Sequence, residues 1–127
     1  MSVLGDTSVI IDLLRNFAPA VDWAETLPEP LVCSEITRVE VLRGVRSEER
    51  RATERFLAAI SWVPVDEAIA RRAGELGRTW TRSHQGIATA DLIIAASTQE
   101  HGHELATLNL KHFPMISGLR VPYERQK

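Results

Sequence analysis

A chain of 127 residues, 44% apolar and 25% charged, has the composition of a single soluble globular domain, predicted over residues 1–127. Its net charge of −2 argues against a surface that is broadly basic for binding nucleic acid, and the single Cys33 excludes an internal disulfide. No apolar run approaches the ~18 residues that span a bilayer, and no basic leader precedes an apolar segment. We therefore expect a cytoplasmic protein with no membrane contact.

The first predicted element is a short apolar strand that ends in a carboxylate at Asp6. Thr7 and Ser8 follow, and apolar residues at helical spacing then predict a helix on which Asp12 faces solvent. A strand that passes into a helix through GDTS is the opening of a β-α unit. In open α/β sheets ligands bind beyond the carboxyl ends of the strands, so Asp6 is the first candidate site residue.

The rest of the chain alternates between helical and strand patterns. Helices are predicted over 19–27, 35–46 with an end near Gly44, 48–60, 66–82 and 87–100. Strands are predicted over 31–33, 62–65 and 104–107, with a last edge segment over 120–122. Ser34 and Asp66 are placed to cap the helices that follow them. This alternation predicts an α/β fold with a parallel sheet covered on both faces.

Two further carboxylates have costly placements. Glu40 lies at the margin of the apolar face of its predicted helix. Asp91 lies within IATADLIIAA, the most apolar helical pattern in the chain. An unpaired buried carboxylate costs several kcal/mol, and a whole domain is stable by only roughly 5–15 kcal/mol. Some other interaction must therefore offset the burial of Asp91.

Three explanations for Asp91 stay open on the residues alone. An arginine pairs with it, its side chain caps a helix that begins later than predicted, or it joins Asp6 and Glu40 around a divalent cation. Like charges about 4 Å apart repel by roughly 4 kcal/mol at an effective dielectric of 20. Clustered carboxylates therefore need a cation or a proton, and an all-oxygen ligand set favours Mg²⁺ or Mn²⁺.

Four short motifs, in this order along the chain, resemble those of the PIN-domain ribonucleases, and among them the VapC-type toxins of bacterial toxin–antitoxin pairs. The motifs are LGDTS with Asp6 and Ser8, SEITRVEVLRG with Glu40, DLIIAA from Asp91, and TLNLKHF with Asn109. The resemblance covers nearly the whole chain. It implies a PIN-like α/β/α sandwich with a mainly parallel, Rossmann-like central sheet. It further implies a Mg²⁺- or Mn²⁺-dependent endoribonuclease, a homodimer, and inhibition by a cognate antitoxin.

The resemblance also implies roles for individual residues. Asp6, Glu40 and Asp91 would form the catalytic acidic cluster and hold the metal. Glu40 would either complete the metal's coordination or orient a water molecule as a base. Ser8 and Asn109 would be supporting residues that fix the geometry of the ligands.

One departure from the family pattern bears on the number of metals. Many relatives carry a fourth acid where this chain has Asn109, and others carry an aspartate where it has His112. The missing negative charge is expected to weaken the binding of a second metal. Arg43 and Arg82 are the leading candidates for contacts with RNA phosphates, and single-stranded or loop RNA is the expected substrate.

Two other functions fit parts of the sequence. A phosphate-handling enzyme with an aspartyl nucleophile, similar to haloacid-dehalogenase-like phosphatases or receiver domains, would need a second acid beside Asp6 and a lysine at a later strand end. Thr7 and Ser8 follow Asp6 instead, and Lys111 is the only internal lysine. A catalytically weak or silent PIN-like module that binds RNA or protein stays open because of Asn109.

Overall fold

The computed structural model describes residues 2–125, in which short strands alternate with helices. The strands are β1 (Val3–Gly5), β2 (Val32–Ser34), β3 (Ser61–Val63) and β4 (Glu104–Ala106). The helices are α1 (Thr7–Leu14), α2 (Ala18–Glu25), α3 (Glu35–Arg43), α4 (Arg50–Ala58), α5 (Glu67–Trp80) and α6 (Thr89–His101). Two 3₁₀ turns span Ser47–Glu49 and Leu110–His112. The single-domain prediction also includes residues 1, 126 and 127, which lie outside the described residues, and it stays a prediction.

The four strands form one sheet in the order β3-β2-β1-β4, and every neighbouring pair is parallel. Leu4 of β1 is in register with Val32 of β2 on one side and with Leu105 of β4 on the other. The predicted parallel α/β sheet is therefore confirmed. Since α1 and α3 begin directly after β1 and β2, their first turns lie at the same edge of the sheet.

The core is divided between the two faces of the sheet because successive strand residues point in opposite directions. Val32 packs in a cluster with buried residues of α5 and α6. Cys33, the next residue, packs in a second cluster with buried residues of α1, α3 and α4. Helices therefore cover both faces, as the sequence predicted.

Two capping predictions are confirmed. The Ser34 hydroxyl accepts a hydrogen bond from the Ile36 N–H at 3.2 Å, and the Asp66 carboxylate accepts one from the Ile69 N–H at 3.0 Å. Each cap satisfies a backbone donor that has no partner within its own helix. These short-range contacts fix where α3 and α5 begin.

The prediction that Asp12 faces solvent is wrong. Asp12 is buried on α1, where it forms an ion pair with Arg125 and accepts a hydrogen bond from the Tyr123 hydroxyl. The C-terminal chain folds back over this side of α1, and helical periodicity contains no information about a segment so distant in sequence. The predicted edge segment over 120–122 is also wrong, because these residues adopt no regular secondary structure.

Several helix ends differ from the prediction. The helix predicted over 48–60 is divided into the 3₁₀ turn and α4, and the helix predicted over 87–100 begins at Thr89.

No helix within residues 2–125 is long and apolar enough to cross a membrane.

Candidate active site

Asp6 lies at the carboxyl end of β1 and is the N-cap of α1, with only 3% of its surface exposed. Its Oδ1 accepts hydrogen bonds from the Ser8 hydroxyl at 2.5 Å and the Val9 N–H at 3.3 Å. Its Oδ2 accepts a short hydrogen bond from the Thr107 hydroxyl. Burial raises the pKa of Asp6 above its ordinary value, although the bonds from Ser8 and Thr107 act in the opposite direction.

Glu40 is half-buried on α3 and is connected to the start of α1 by a hydroxyl. Thr7, the residue after Asp6, donates from Oγ1 to Glu40 Oε1 at 2.5 Å. The same Oγ1 lies 3.0 Å from the hydroxyl oxygen of the buried Thr37. The two threonines therefore hold one oxygen of Glu40 next to the end of β1.

Asp91 lies in the first turn of α6, and its Oδ2 accepts a hydrogen bond from the Ala88 N–H at 2.9 Å. His112 Nδ1 lies 3.4 Å from the same oxygen. Desolvation raises the pKa of Asp91, the Ala88 N–H and the His112 charge oppose this, and the negative charge of Glu40 raises it further. Glu40 and Asp91 are thus close enough for their charges to interact.

Of the three explanations for Asp91, helix capping is the one that the contacts support. The helix begins two residues later than predicted, which brings Asp91 to the end where its carboxylate meets free N–H groups and the positive end of the helix dipole. Pairing with an arginine does not occur among residues 2–125, where the basic side chain next to Asp91 is that of His112. Capping by Oδ2 leaves the metal explanation open.

Asp6 and Glu40 are likewise without a guanidinium partner in the described chain. Carboxylate and hydroxyl oxygens surround them, and this donor chemistry fits a hard cation such as Mg²⁺ or Mn²⁺. As placed, however, no three Asp, Glu, His or Cys side chains of residues 2–125 form a ready-made metal-binding group. Each carboxylate is held by hydroxyl or amide donors, so metal binding would require the side chains to adjust.

The supporting residues from the sequence have different surroundings. Ser8 contacts Asp6 directly. Asn109 is exposed, and its backbone N–H donates to Thr107 Oγ1 at 3.0 Å. Arg43 and Arg82 are exposed, the first at the last residue of α3 and the second just after α5.

Three further residues contact the carboxylates: Thr7 and His112, to which the sequence assigned no such contact, and Thr107, which was not singled out. Thr7 contacts Glu40, Thr107 contacts Asp6, and His112 contacts Asp91. Thr7 and Thr107 each lie within one of the four motifs, and that position was the available signal. Neither partner could be assigned from sequence, because each hydroxyl reaches a carboxylate on a distant element.

A groove opens beside Glu40, between α1 and the segment that runs from α3 to α4. Its cavity volume is about 790 Å³. Apolar side chains such as Ile11 and Phe56 line it, with charged residues including Arg46 and Glu48. The groove is therefore large enough to accept a segment of another chain.

The fold is a parallel α/β sandwich with partly buried carboxylates at one edge of its sheet, and it can be compared with families that share these features. The sequence pattern described as the PIN domain matches residues 3–116, so this chain belongs to the PIN-domain family. It is similar to Ribonuclease VapC10 of Mycobacterium tuberculosis, at 40% identity over 123 residues that cover 95% of this chain and 92% of the relative.

Two further comparisons support the same assignment. Ribonuclease VapC19 of Mycobacterium tuberculosis is 42% identical over 121 residues, which cover 93% of this chain and 97% of the relative. Among solved structures, a chain of a toxin–antitoxin complex from Klebsiella pneumoniae has a TM-score of 0.84 and 31% identity, with 97% of this chain and 99% of that chain covered. The resemblance seen in the sequence motifs is therefore confirmed.

Proposed function

We propose that this chain is a Mg²⁺- or Mn²⁺-dependent endoribonuclease that acts as the toxin of a toxin–antitoxin pair. The observation that carries the proposal is the placement of three carboxylates without a guanidinium partner in residues 2–125. Glu40 is connected through Thr7 to the start of α1, next to Asp6, and its charge acts on Asp91. Relatives at 40% and 42% identity bear the name ribonuclease VapC, which supports RNA as the substrate.

Asp6 and Asp91 would hold the cation, which when bound polarises a phosphoryl oxygen and lowers the pKa of a water molecule. Ser8 and Thr107 restrain the Asp6 carboxylate in this role. Thr7 binds one oxygen of Glu40 and leaves Oε2 able to orient a water molecule or complete the coordination. Asn109 supplies a neutral amide near the site in place of an acid, which would weaken the binding of a second metal.

RNA would reach this edge of the sheet through its phosphates. Arg43 and Arg82 are exposed guanidinium groups that can bind phosphate oxygens in a bidentate manner. Single-stranded or loop RNA is the proposed substrate, since the grooves of A-form duplexes hide most base edges from side chains.

The proposed protein partner is a cognate antitoxin that inhibits the enzyme. The groove beside Glu40 would accept an antitoxin segment with apolar side chains, because its walls are apolar and its edges are charged. The similarity to a chain from a toxin–antitoxin complex supports this partner. A homodimer and a cytoplasmic location remain predictions.

The test is RNA cleavage by the purified protein with added Mg²⁺ or Mn²⁺ and with a chelator. We expect metal-dependent endonucleolytic products from the wild type, and loss of cleavage in D6N, D91N and E40Q. D22N is the matched control, since Asp22 is an exposed aspartate of α2. Thermal unfolding of every variant separates a loss of chemistry from a loss of folding. Undiminished cleavage by folded D6N and D91N would contradict the proposal.

A catalytically silent RNA-binding module is the second candidate. It is favoured by the exposed Asn109 in place of an acid and by the lack of a ready-made metal group among residues 2–125. Under this alternative the wild type would bind single-stranded RNA but release no fragments at any divalent metal concentration. Fragment release that D6N abolishes would exclude it.

A further inference from the structure

We propose that His112 is a positioning residue for Asp91: it helps to restrain Oδ2, so that Oδ1 would be available to hold a cation. This inference rests on the proposed function. It assigns the imidazole neither as a metal ligand nor as a base, but as a donor that fixes the orientation of a ligand carboxylate.

The two carboxylate oxygens of Asp91 have different surroundings. Oδ2 accepts the Ala88 N–H at 2.9 Å and faces His112 Nδ1 at 3.4 Å. Oδ1 accepts no hydrogen bond from residues 2–125. The His112 contact is not a hydrogen bond in this geometry. With a proton on Nδ1, the imidazole attracts Oδ2 electrostatically, and this attraction adds to the restraint that the Ala88 hydrogen bond places on the carboxyl group. Partners behind a ligand typically fix its orientation in this way.

The backbone of the turn that carries His112 is held in place by hydrogen bonds and by burial at its end. The Asn109 N–H donates to Thr107 Oγ1 at 3.0 Å, and the His112 N–H donates to the Asn109 carbonyl at 3.0 Å. Phe113, the next residue, is 1% exposed and belongs to the core. Hydrogen bonds within the turn and burial at its end therefore fix the backbone from which the imidazole projects.

The turn over residues 107–112 contacts two carboxylates at once. Its first residue, Thr107, donates to Asp6, and its last, His112, contacts Asp91. A single turn from residue 107 to residue 112 therefore restrains both acids from one side. A change in this turn would therefore affect both carboxylates that would hold a cation.

The imidazole is also confined on its other side. A Cβ atom placed on Gly86 would lie 3.9 Å from His112 Nε2, so the loop after α5 passes close to the far edge of the ring. Gly86 has a φ of 88°, a conformation that favours glycine. A ring between this loop and Asp91 has limited freedom to turn away.

A histidine at position 112 places a different charge beside Asp91 than an aspartate would. An aspartate at position 112 would place a second carboxylate against Oδ2 of Asp91, where like charges repel. Histidine presents a donor there instead. His112 is therefore placed to orient Asp91, whereas an aspartate at this position would be an additional acidic ligand.

The experiment measures Mn²⁺ affinity by electron paramagnetic resonance in the wild type, H112A and H112N, together with the RNA cleavage rate. Asparagine can place its Nδ2 donor close to the position of Nδ1, whereas alanine provides no donor. Loss of a partner behind a ligand typically lowers metal affinity by about 10–100-fold. We expect such a loss in H112A and recovery of most of it in H112N. H101A, at an exposed histidine at the end of α6, is the matched control.

A second readout does not involve metal. The amide shift of Ala88 in ¹⁵N NMR reports its hydrogen bond to Asp91 Oδ2, and we expect a larger change in H112A than in H112N. Equal Mn²⁺ affinity in H112A and the wild type would overturn the inference. Equal losses in H112A and H112N would also overturn it, because the ring itself would then be required. If D91N binds Mn²⁺ as the wild type does, the proposed metal site fails before His112 is considered.

Discussion

Arg125 and Asp12, 113 positions apart in the chain, form the ion pair that fastens the C-terminal segment to α1. Arg125 Nη2 lies 2.9 Å from Asp12 Oδ1, and the Tyr123 hydroxyl donates to Oδ2 at 2.8 Å. The Tyr123 ring also packs against Phe17 and Trp23, at centroid distances of 6.2 Å and 5.9 Å. The segment therefore stabilises the helix that begins at the candidate active site.

R125A should lower the free energy of unfolding by about 1–3 kcal/mol, because it leaves the buried Asp12 carboxylate with the Tyr123 hydroxyl as its remaining partner. Urea denaturation measures the change. R71A is the matched control, since Arg71 pairs with Glu67 on the open surface of α5 and such pairs contribute little. A double-mutant cycle with D12N isolates the pair, and a coupling energy near zero would show that the contact does not stabilise the fold.

The buried carboxyl of Asp6 should make stability depend on pH. Burial raises its pKa in the folded protein above the ordinary 3.8, so the protonated form favours folding. This contribution to stability is fully present below about pH 3.8 and is lost as the pH rises through the folded-state pKa. D6N has no such group. We therefore expect its free energy of unfolding to fall less with rising pH, and to exceed that of the wild type near neutral pH without metal.

Urea denaturation from pH 4 to pH 8, in buffer with a chelator, measures this difference. D22N changes an exposed aspartate and should follow the wild-type pH dependence. Divalent metal should then stabilise the wild type more than D6N, because metal binds the ionised carboxylate. Parallel curves for D6N and the wild type would show that Asp6 ionises as freely in the folded as in the unfolded protein.

The hydroxyl of Thr107, which contacts the Asp6 carboxylate oxygen that Ser8 does not contact, should be needed for metal binding. Thr107 is fully buried and donates to Asp6 Oδ2. T107V keeps the shape of the side chain but removes this donor, so we expect Mn²⁺ affinity about 10–100-fold lower and slower RNA cleavage. T107S keeps the hydroxyl and should retain most of both. Similar behaviour of T107V and T107S would mean that the hydroxyl has no such function.

Local pattern determined much of this protein before any coordinates. Alternating strand and helix patterns indicated the parallel sheet, because strand pairing through helical crossovers produces that topology. Ser34 and Asp66 marked two helix starts, since a cap acts within three residues of itself. Asp6 was placed at a strand end by the residues on either side of it. Four ordered motifs identified the family.

The tertiary structure alone decided which side chains meet. One of the two hydroxyls that restrain Asp6 comes from Thr107, 101 positions away. The partners of Asp12 come from a C-terminal segment whose predicted strand does not form. A two-residue difference in the start of α6 also changed Asp91 from an unpaired carboxylate inside an apolar helix to a carboxylate that caps the helix start. Periodicity and capping depend on neighbours within a turn or two of the chain. Contacts between distant segments depend on the path of the whole backbone, which no local pattern contains.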